Sequence, residues 1–241
     1  MAYDDRIIFA LDVSSLDQAR RWVDILKGSV AWFKVGLELF TAQGPAVVEL
    51  LKDNGIGCFL DLKLHDIPNT VSGAMRSITR LGADMTTIHL SGGVAMILAA
   101  KEASVDEAAR MNVAPPKILG VSVLTSLSRE DLVQVGFARD PAGQVELLAG
   151  LGISCGIDGL VCSASDLTSV RGRVPDHLTL VTPGIRPAWV DAGDQKRTST
   201  PQGAIEAGAD FLVIGRPIST APDPVLAVAR IASEMAQART A

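Results

Sequence analysis

The stretch Cys58-Phe59-Leu60-Asp61-Leu62-Lys63-Leu64-His65-Asp66 decides how the chain is read. Side chains alternate along a strand, so Phe59, Asp61 and Lys63 share one face, and Leu60, Leu62 and Leu64 the other. The leucine face suits packing against helices. The opposite face then aims a carboxylate and an ammonium inward, at the strand's C-terminal end. Burying such charges is costly unless they are paired. For an isolated Asp-x-Lys, a structural ion pair is as good an explanation as a functional one, so the surroundings must decide.

Outward from this run, short apolar segments alternate with longer amphipathic ones. The candidate strands are Ile7–Leu11, Ala31–Val35, Cys58–Leu64, Met85–Leu90, Ile118–Leu124, Gly159–Cys162, Leu178–Thr182 and Phe211–Ile214. Most are apolar throughout, as expected of parallel strands covered on both faces. Glycines punctuate the approach to them: Asn54-Gly55-Ile56-Gly57, Leu81-Gly82-Ala83-Asp84, Gly156-Ile157-Asp158 and Ala207-Gly208-Ala209-Asp210. A glycine after a helix supplies a left-handed cap before the next strand. Serial βα units of this number predict an α/β fold, a closed (β/α)8 TIM barrel, with residues 1–241 forming a single domain. The alternative, a doubly wound open sheet, lacks a Gly-x-Gly-x-x-Gly after its first strand. The longest irregular piece runs from about Pro183 to Pro201 and is polar, with Asp191, Asp194, Gln195, Lys196 and Arg197. A loop of that length within one domain reads as a lid.

Composition narrows the class. Of 241 residues, 48% are hydrophobic and 20% charged, enough for a substantial core. A net charge of −5 argues against a nucleic-acid-binding protein, while leaving room for a local anion site. The N-terminal run, with two early acids and a short apolar stretch, does not read as a signal peptide, and no apolar run is long enough to span a membrane. Cys58, Cys155 and Cys162 lack metal-binding spacing, and Cys58 and Cys162, within apolar runs, read as reduced core thiols. A soluble cytoplasmic protein is expected.

Other strands add charge to the Asp61–Lys63 end. Asp12 follows the first apolar run, and Lys34 sits near the end of the second. Two acids and two lysines thus converge from three adjacent strand ends, with Asp66 just beyond. A barrel needs no such array for stability, and the C-terminal strand ends are where barrels keep their active sites. The last two strands end in Thr182-Pro183-Gly184-Ile185-Arg186 and Ile214-Gly215-Arg216-Pro217. Glycine allows close backbone approach and arginine matches phosphate; loops after the seventh and eighth strands commonly hold it. His65 and His89 read as orienting or packed residues rather than acid–base groups.

The segment Asp61-Leu62-Lys63-Leu64-His65-Asp66-Ile67-Pro68-Asn69-Thr70-Val71 resembles the signature of the orotidine 5′-phosphate decarboxylases of compact bacterial type. The resemblance extends over essentially the whole chain, through Phe9-Ala10-Leu11-Asp12, Phe33-Lys34-Val35-Gly36, Leu124-Thr125-Ser126 and both Gly-Arg ends. It implies conversion of orotidine 5′-phosphate to uridine 5′-phosphate and carbon dioxide, with neither metal nor organic cofactor. It implies a homodimer with shared active sites. Lys34, Asp61 and Lys63 would serve one subunit's site, while Asp66 and Thr70 reach into the partner's. Asp12 would bind the ribose, Thr125 the pyrimidine, and Arg186, Gln195, Gly215 and Arg216 the phosphate, with Ile67 and Pro183 also at the substrate.

Three rival functions differ from this one at particular residues. Magnesium-dependent sugar-phosphate lyases of hexulose-phosphate synthase type share the Asp-x-Lys-x-x-Asp strand, but carry a metal-binding glutamate where Lys34 stands here; a lysine repels a divalent cation. A non-catalytic phosphate-binding barrel would not need the charge array. A Schiff-base aldolase would need Lys63 uncharged in an apolar pocket, which the neighbouring acids oppose.

Overall fold

The computed structural model describes residues 4–190 and 198–238. Eight parallel strands close into a barrel in chain order. They are β1 (Ile7–Ala10), β2 (Trp32–Val35), β3 (Gly57–Leu64), β4 (Met85–His89), β5 (Lys117–Val121), β6 (Gly159–Val161), β7 (Thr179–Thr182) and β8 (Phe211–Ile214). All eight expected strands are present. The fifth was expected to reach Leu124 and ends at Val121 instead. Val123 and Leu124 leave the ladder to form a lip beside the cavity described below.

Alternation sorts the strand residues into two cores. Ile8, Ala10, Phe59, Met85, Leu119, Val181 and Val213 fill the barrel interior, with Trp32, Val161 and Phe211 packed against them. Ile7, Phe9, Phe33, Val35, Cys58 and Leu60 face outward and join the larger core beneath the helices. The interior is dense enough to dictate glycine in places. A Cβ on Gly159 would lie 2.4 Å from the Thr179 carbonyl oxygen and 2.6 Å from a Leu119 methyl.

The glycines expected to cap helices do so. Gly55, Gly82, Gly156 and Gly208 all have positive φ. The aspartates that follow three of them have a second role. Asp84 accepts the Cys58 N–H (2.8 Å), Asp158 the Ile118 N–H (2.9 Å) and Asp210 the Leu180 N–H (2.7 Å). Each carboxylate precedes one strand and caps the amide at the start of the strand before it, so β3–β4, β5–β6 and β7–β8 are tied in register at the N-terminal rim. Each is also paired with a cation, Lys52, Lys101 and Arg171 respectively. The carboxylates thus bond the barrel's base together.

Helix starts follow sequence-level rules. Ser15, Asp140, Thr200 and Asp223 accept N-terminal amides of the helices they precede, and Ser128 with Asp131 makes a full capping box. The segment between β7 and the helix Pro201–Glu206 is closed at its base by a bridge between Ile185 and Ser199 and by the Arg186 N–H on the Ser199 carbonyl at 2.8 Å. Gln195 and its neighbours 191–197 lie outside the described residues. Among the described residues, no helix is long and apolar enough to cross a membrane.

Candidate active site

The inward positions of β1 to β4 change character along the barrel axis. Ile8, Trp32, Phe59 and Met85 are apolar; the next inward residue on β1 is still apolar, Ala10, but on β2 to β4 they are Lys34, Asp61 and Thr87, followed by Lys63 and His89. Asp12 follows β1 at the same end. Lys34 Nζ lies 3.2 Å from Asp12 Oδ1 and 3.9 Å from Asp61 Oδ2. Lys63 Nζ donates to both oxygens of Asp61 at 2.8 Å. The four side chains therefore form a line of alternating sign. Asp61 is its buried centre, with 11% of its side chain exposed, and Asp12 its open end at 65%. This is the convergence expected from the sequence.

The alternation of β3 is reached through an irregularity. Phe59 pairs with Met85 and Leu60 with Thr86, but Leu64 pairs with Ile88. Three residues of β3, Asp61 to Lys63, thus stand against Thr87 alone. Within this bulge Lys63 takes φ of 50°, one of only two non-glycine residues with positive φ among those described. Bulges redirect side chains and recur beside active sites. Asp61 and Lys63 both reach the inside, and Leu62 and Leu64 still pack outward.

A cavity of about 170 Å³ opens beside the line of charges. Lys34, Asp61 and Lys63 form its charged side; Phe59, Val121, Val161 and Val213 form an apolar wall; Leu124, Thr125 and Pro183 form its lip. A space of about this size admits one aromatic ring. Cys162, read from sequence as a core thiol, also lines it. Burial pushes its thiol up to about 12, so the group stays protonated and contributes apolar surface. A second, smaller recess adjoins the first and is lined by Asp12, Lys34, Gly36, Asp61 and Lys63.

The remaining expected site residues fall into two sets. Asp66, Ile67 and Thr70 are exposed at the start of the helix Pro68–Leu81 and line neither recess of their own chain. Asp66 accepts the Ile67 N–H at 2.6 Å, and Ile67 is 66% exposed. Gly215 N-caps the short helix Arg216–Ser219, close behind Ala10 and Asp12. Arg216 is exposed, whereas Arg186 is buried and donates to the Ile185 carbonyl at 2.8 Å.

One group escaped the sequence reading. Thr87, fully buried, donates to Asp61 Oδ1 at 2.9 Å and accepts the Lys63 N–H at 2.8 Å. Its inward parity on β4 was the available signal. His89 packs beside His65, as read from sequence, with ring centroids 5.3 Å apart and the planes tilted by 36°. Burial, and then the neighbouring His65 and Lys63, hold the His89 imidazole below its ordinary range, so at neutral pH it is uncharged. That agrees with a packed role.

A family model described as Orotidine 5′-phosphate decarboxylase / HUMPS family matches residues 5–231. The chain belongs to this family. An orotidine 5′-phosphate decarboxylase of Paramagnetospirillum magneticum is 51% identical over 229 residues, spanning 95% of this chain and 97% of the relative. One from Moorella thermoacetica is 49% identical over 232 residues, spanning 96% and 92%. The crystal structure of orotidine 5′-phosphate decarboxylase from Lactobacillus acidophilus superposes with a TM-score of 0.86 at 36% identity, covering 96% of this chain and 99% of that one. The solved relative thus shares the barrel fold.

Proposed function

We propose that this chain decarboxylates orotidine 5′-phosphate to uridine 5′-phosphate and carbon dioxide in pyrimidine biosynthesis, with the Asp12–Lys34–Asp61–Lys63 line carrying the reaction. The observation behind this reading is the position of that line. An alternating set of charges borders a ring-sized apolar cavity at the end of a barrel whose family includes this activity.

The chemistry follows from the groups. The bond from C6 to the carboxylate carbon breaks, carbon dioxide leaves, and the electron pair remains on C6. That carbon has no good electron sink, so charge developing on it must be met by fixed positive charge. Ammonium groups held in a partly dry cleft meet it without reorganisation, which is electrostatic preorganisation. Lys63, fixed by both oxygens of Asp61, then transfers a proton to C6. Asp61 next to the substrate carboxylate would disfavour the ground state relative to the transition state. Thr125 and Pro183, on the lip, serve the pyrimidine, and Asp12, at the open end, the ribose. Arg186, Gly215 and Arg216 serve the phosphate, with Gln195 assigned there by resemblance alone.

The magnesium-dependent alternative meets an obstacle at Lys34. Its ammonium stands between Asp12 and Asp61, the carboxylates a cation would use, and would repel a divalent ion. No metal is therefore required by this reading. Asp66, Ile67 and Thr70, exposed and away from their own cavity, support a homodimer in which each chain completes its partner's site. The same reading places the enzyme in the cytoplasm, in keeping with three buried cysteines, all free.

One assay tests the activity. Purified protein in excess chelator should consume orotidine 5′-phosphate, seen as loss of its absorbance, with uridine 5′-phosphate as product. Activity that requires added magnesium would reject the reading in favour of the metal-dependent branch.

A further inference from the structure

We infer that Thr87 is a positioning residue that holds the Lys63 backbone and the Asp61 carboxylate in one geometry. The inference rests on the roles given above to Asp61 and Lys63. Opposite the β3 bulge, the strand ladder offers no regular partner for the Lys63 amide. The Thr87 hydroxyl accepts that N–H at 2.8 Å and uses its own proton on Asp61 Oδ1 at 2.9 Å. One oxygen thus ties the backbone of one charged residue to the side chain of the other.

The tie matters because the bulge is an unfavourable conformation. Lys63 stands at φ 50°, where its Cβ crowds the following carbonyl, and such backbone persists only when its surroundings fix it. Asp61 Oδ1 receives Thr87 from one side and Lys63 Nζ from the other, so the hydroxyl also fixes the rotation of the carboxylate that aims the ammonium. Thr87 is fully buried and lines neither recess, so it acts through its neighbours and does not touch a ligand in the cavity.

The test compares variants that keep or remove the hydroxyl. Thr87→Val preserves shape and removes both hydrogen bonds; Thr87→Ser preserves both. In Thr87→Val, kcat should fall about ten- to a hundredfold, the usual cost of one hydrogen bond to a charged group. KM and the affinity for uridine 5′-phosphate should stay near native, and Thr87→Ser should recover most of kcat. Should Thr87→Val fail to fold, Thr87→Ala removes the hydroxyl without setting a methyl against Asp61 and carries the same expectation. Hydrogen exchange of the Lys63 amide supplies a readout that does not depend on turnover. It should be slow in the native protein and in Thr87→Ser, and faster in the variants without the hydroxyl. Near-native kcat in those variants, a loss confined to KM, or unchanged Lys63 exchange would each overturn the proposal. A native protein that leaves orotidine 5′-phosphate untouched would instead overturn the function, with the exchange data still judging the tie.

Discussion

Replacing Lys34 with methionine removes one charge and keeps most of the side chain's length. In the structure the ammonium lies 3.9 Å from the buried Asp61 and 3.2 Å from the exposed Asp12. At an effective dielectric near 20 the first interaction is worth about 4 kcal/mol, and at the water-like value suited to Asp12 the second is about 1 kcal/mol. The stability effect should be far smaller than the sum. Methionine escapes the several kcal/mol it costs to bury an ammonium, and Asp61 keeps Lys63 at 2.8 Å and Thr87 at 2.9 Å. A net change of about 1 kcal/mol would move the melting temperature by about 2–4 °C in a domain of this size. Catalysis has no such compensation. Charge developing in the cavity at a comparable distance from Lys34 would lose about 4 kcal/mol, roughly a thousandfold in kcat/KM. The assays are the absorbance loss of orotidine 5′-phosphate and thermal unfolding of the same preparation. Activity within about tenfold of native, together with a melting temperature lowered by about 10 °C or more, would refute the reasoning and make the charge line a device of stability.

Three further perturbations probe other parts of the molecule. Lys63→Ala and Asp66→Ala should each be inactive alone, yet unfolding and refolding them together should restore roughly a quarter of the sites, because mixed two-fold dimers contain one whole site; no recovery, with mixed dimers shown to form, would confine Asp66 to its own subunit. Arg216→Ala should weaken the nucleotide by about 2–5 kcal/mol while sparing the bare nucleoside, measured by calorimetry or inhibition; an equal loss for both removes the phosphate assignment. Gly159→Ala should cost about 2–3 kcal/mol, since its methyl must displace the Thr179 carbonyl, and would be read as a melting temperature lower by roughly 5–10 °C; an unchanged value would mean that the barrel wall yields there.

The parts of this protein legible in its sequence are those governed by local rules. Period-two alternation placed Asp61 and Lys63 inside, and the glycine caps marked the strand starts. What escaped depended on pairing between strands. Asp84, Asp158 and Asp210 were visible only as punctuation, because the amides they cap lie on neighbouring strands 26 to 40 residues away. Thr87 looked like an ordinary strand residue until the β3 bulge faced it. The overlong fifth strand followed from the same blindness, since an apolar loop at a cavity lip has the composition of a strand. Asp66 and Thr70 gained roles from family likeness alone; in the folded chain they are exposed, and nothing in the residues themselves says what they face.

The left-handed backbone at Lys63 places a strained conformation at the residue proposed as proton donor. Lys63→Gly and Lys63→Ala lose the same ammonium and leave the same carboxylate behind, so their difference isolates the conformation. Glycine adopts φ near 50° freely, whereas alanine does not, and the glycine variant should be more stable by about 1 kcal/mol. Against native Lys63 that relief is outweighed by the loss of the ammonium that both oxygens of buried Asp61 accept, so the order of melting temperatures should be native first, then glycine, then alanine.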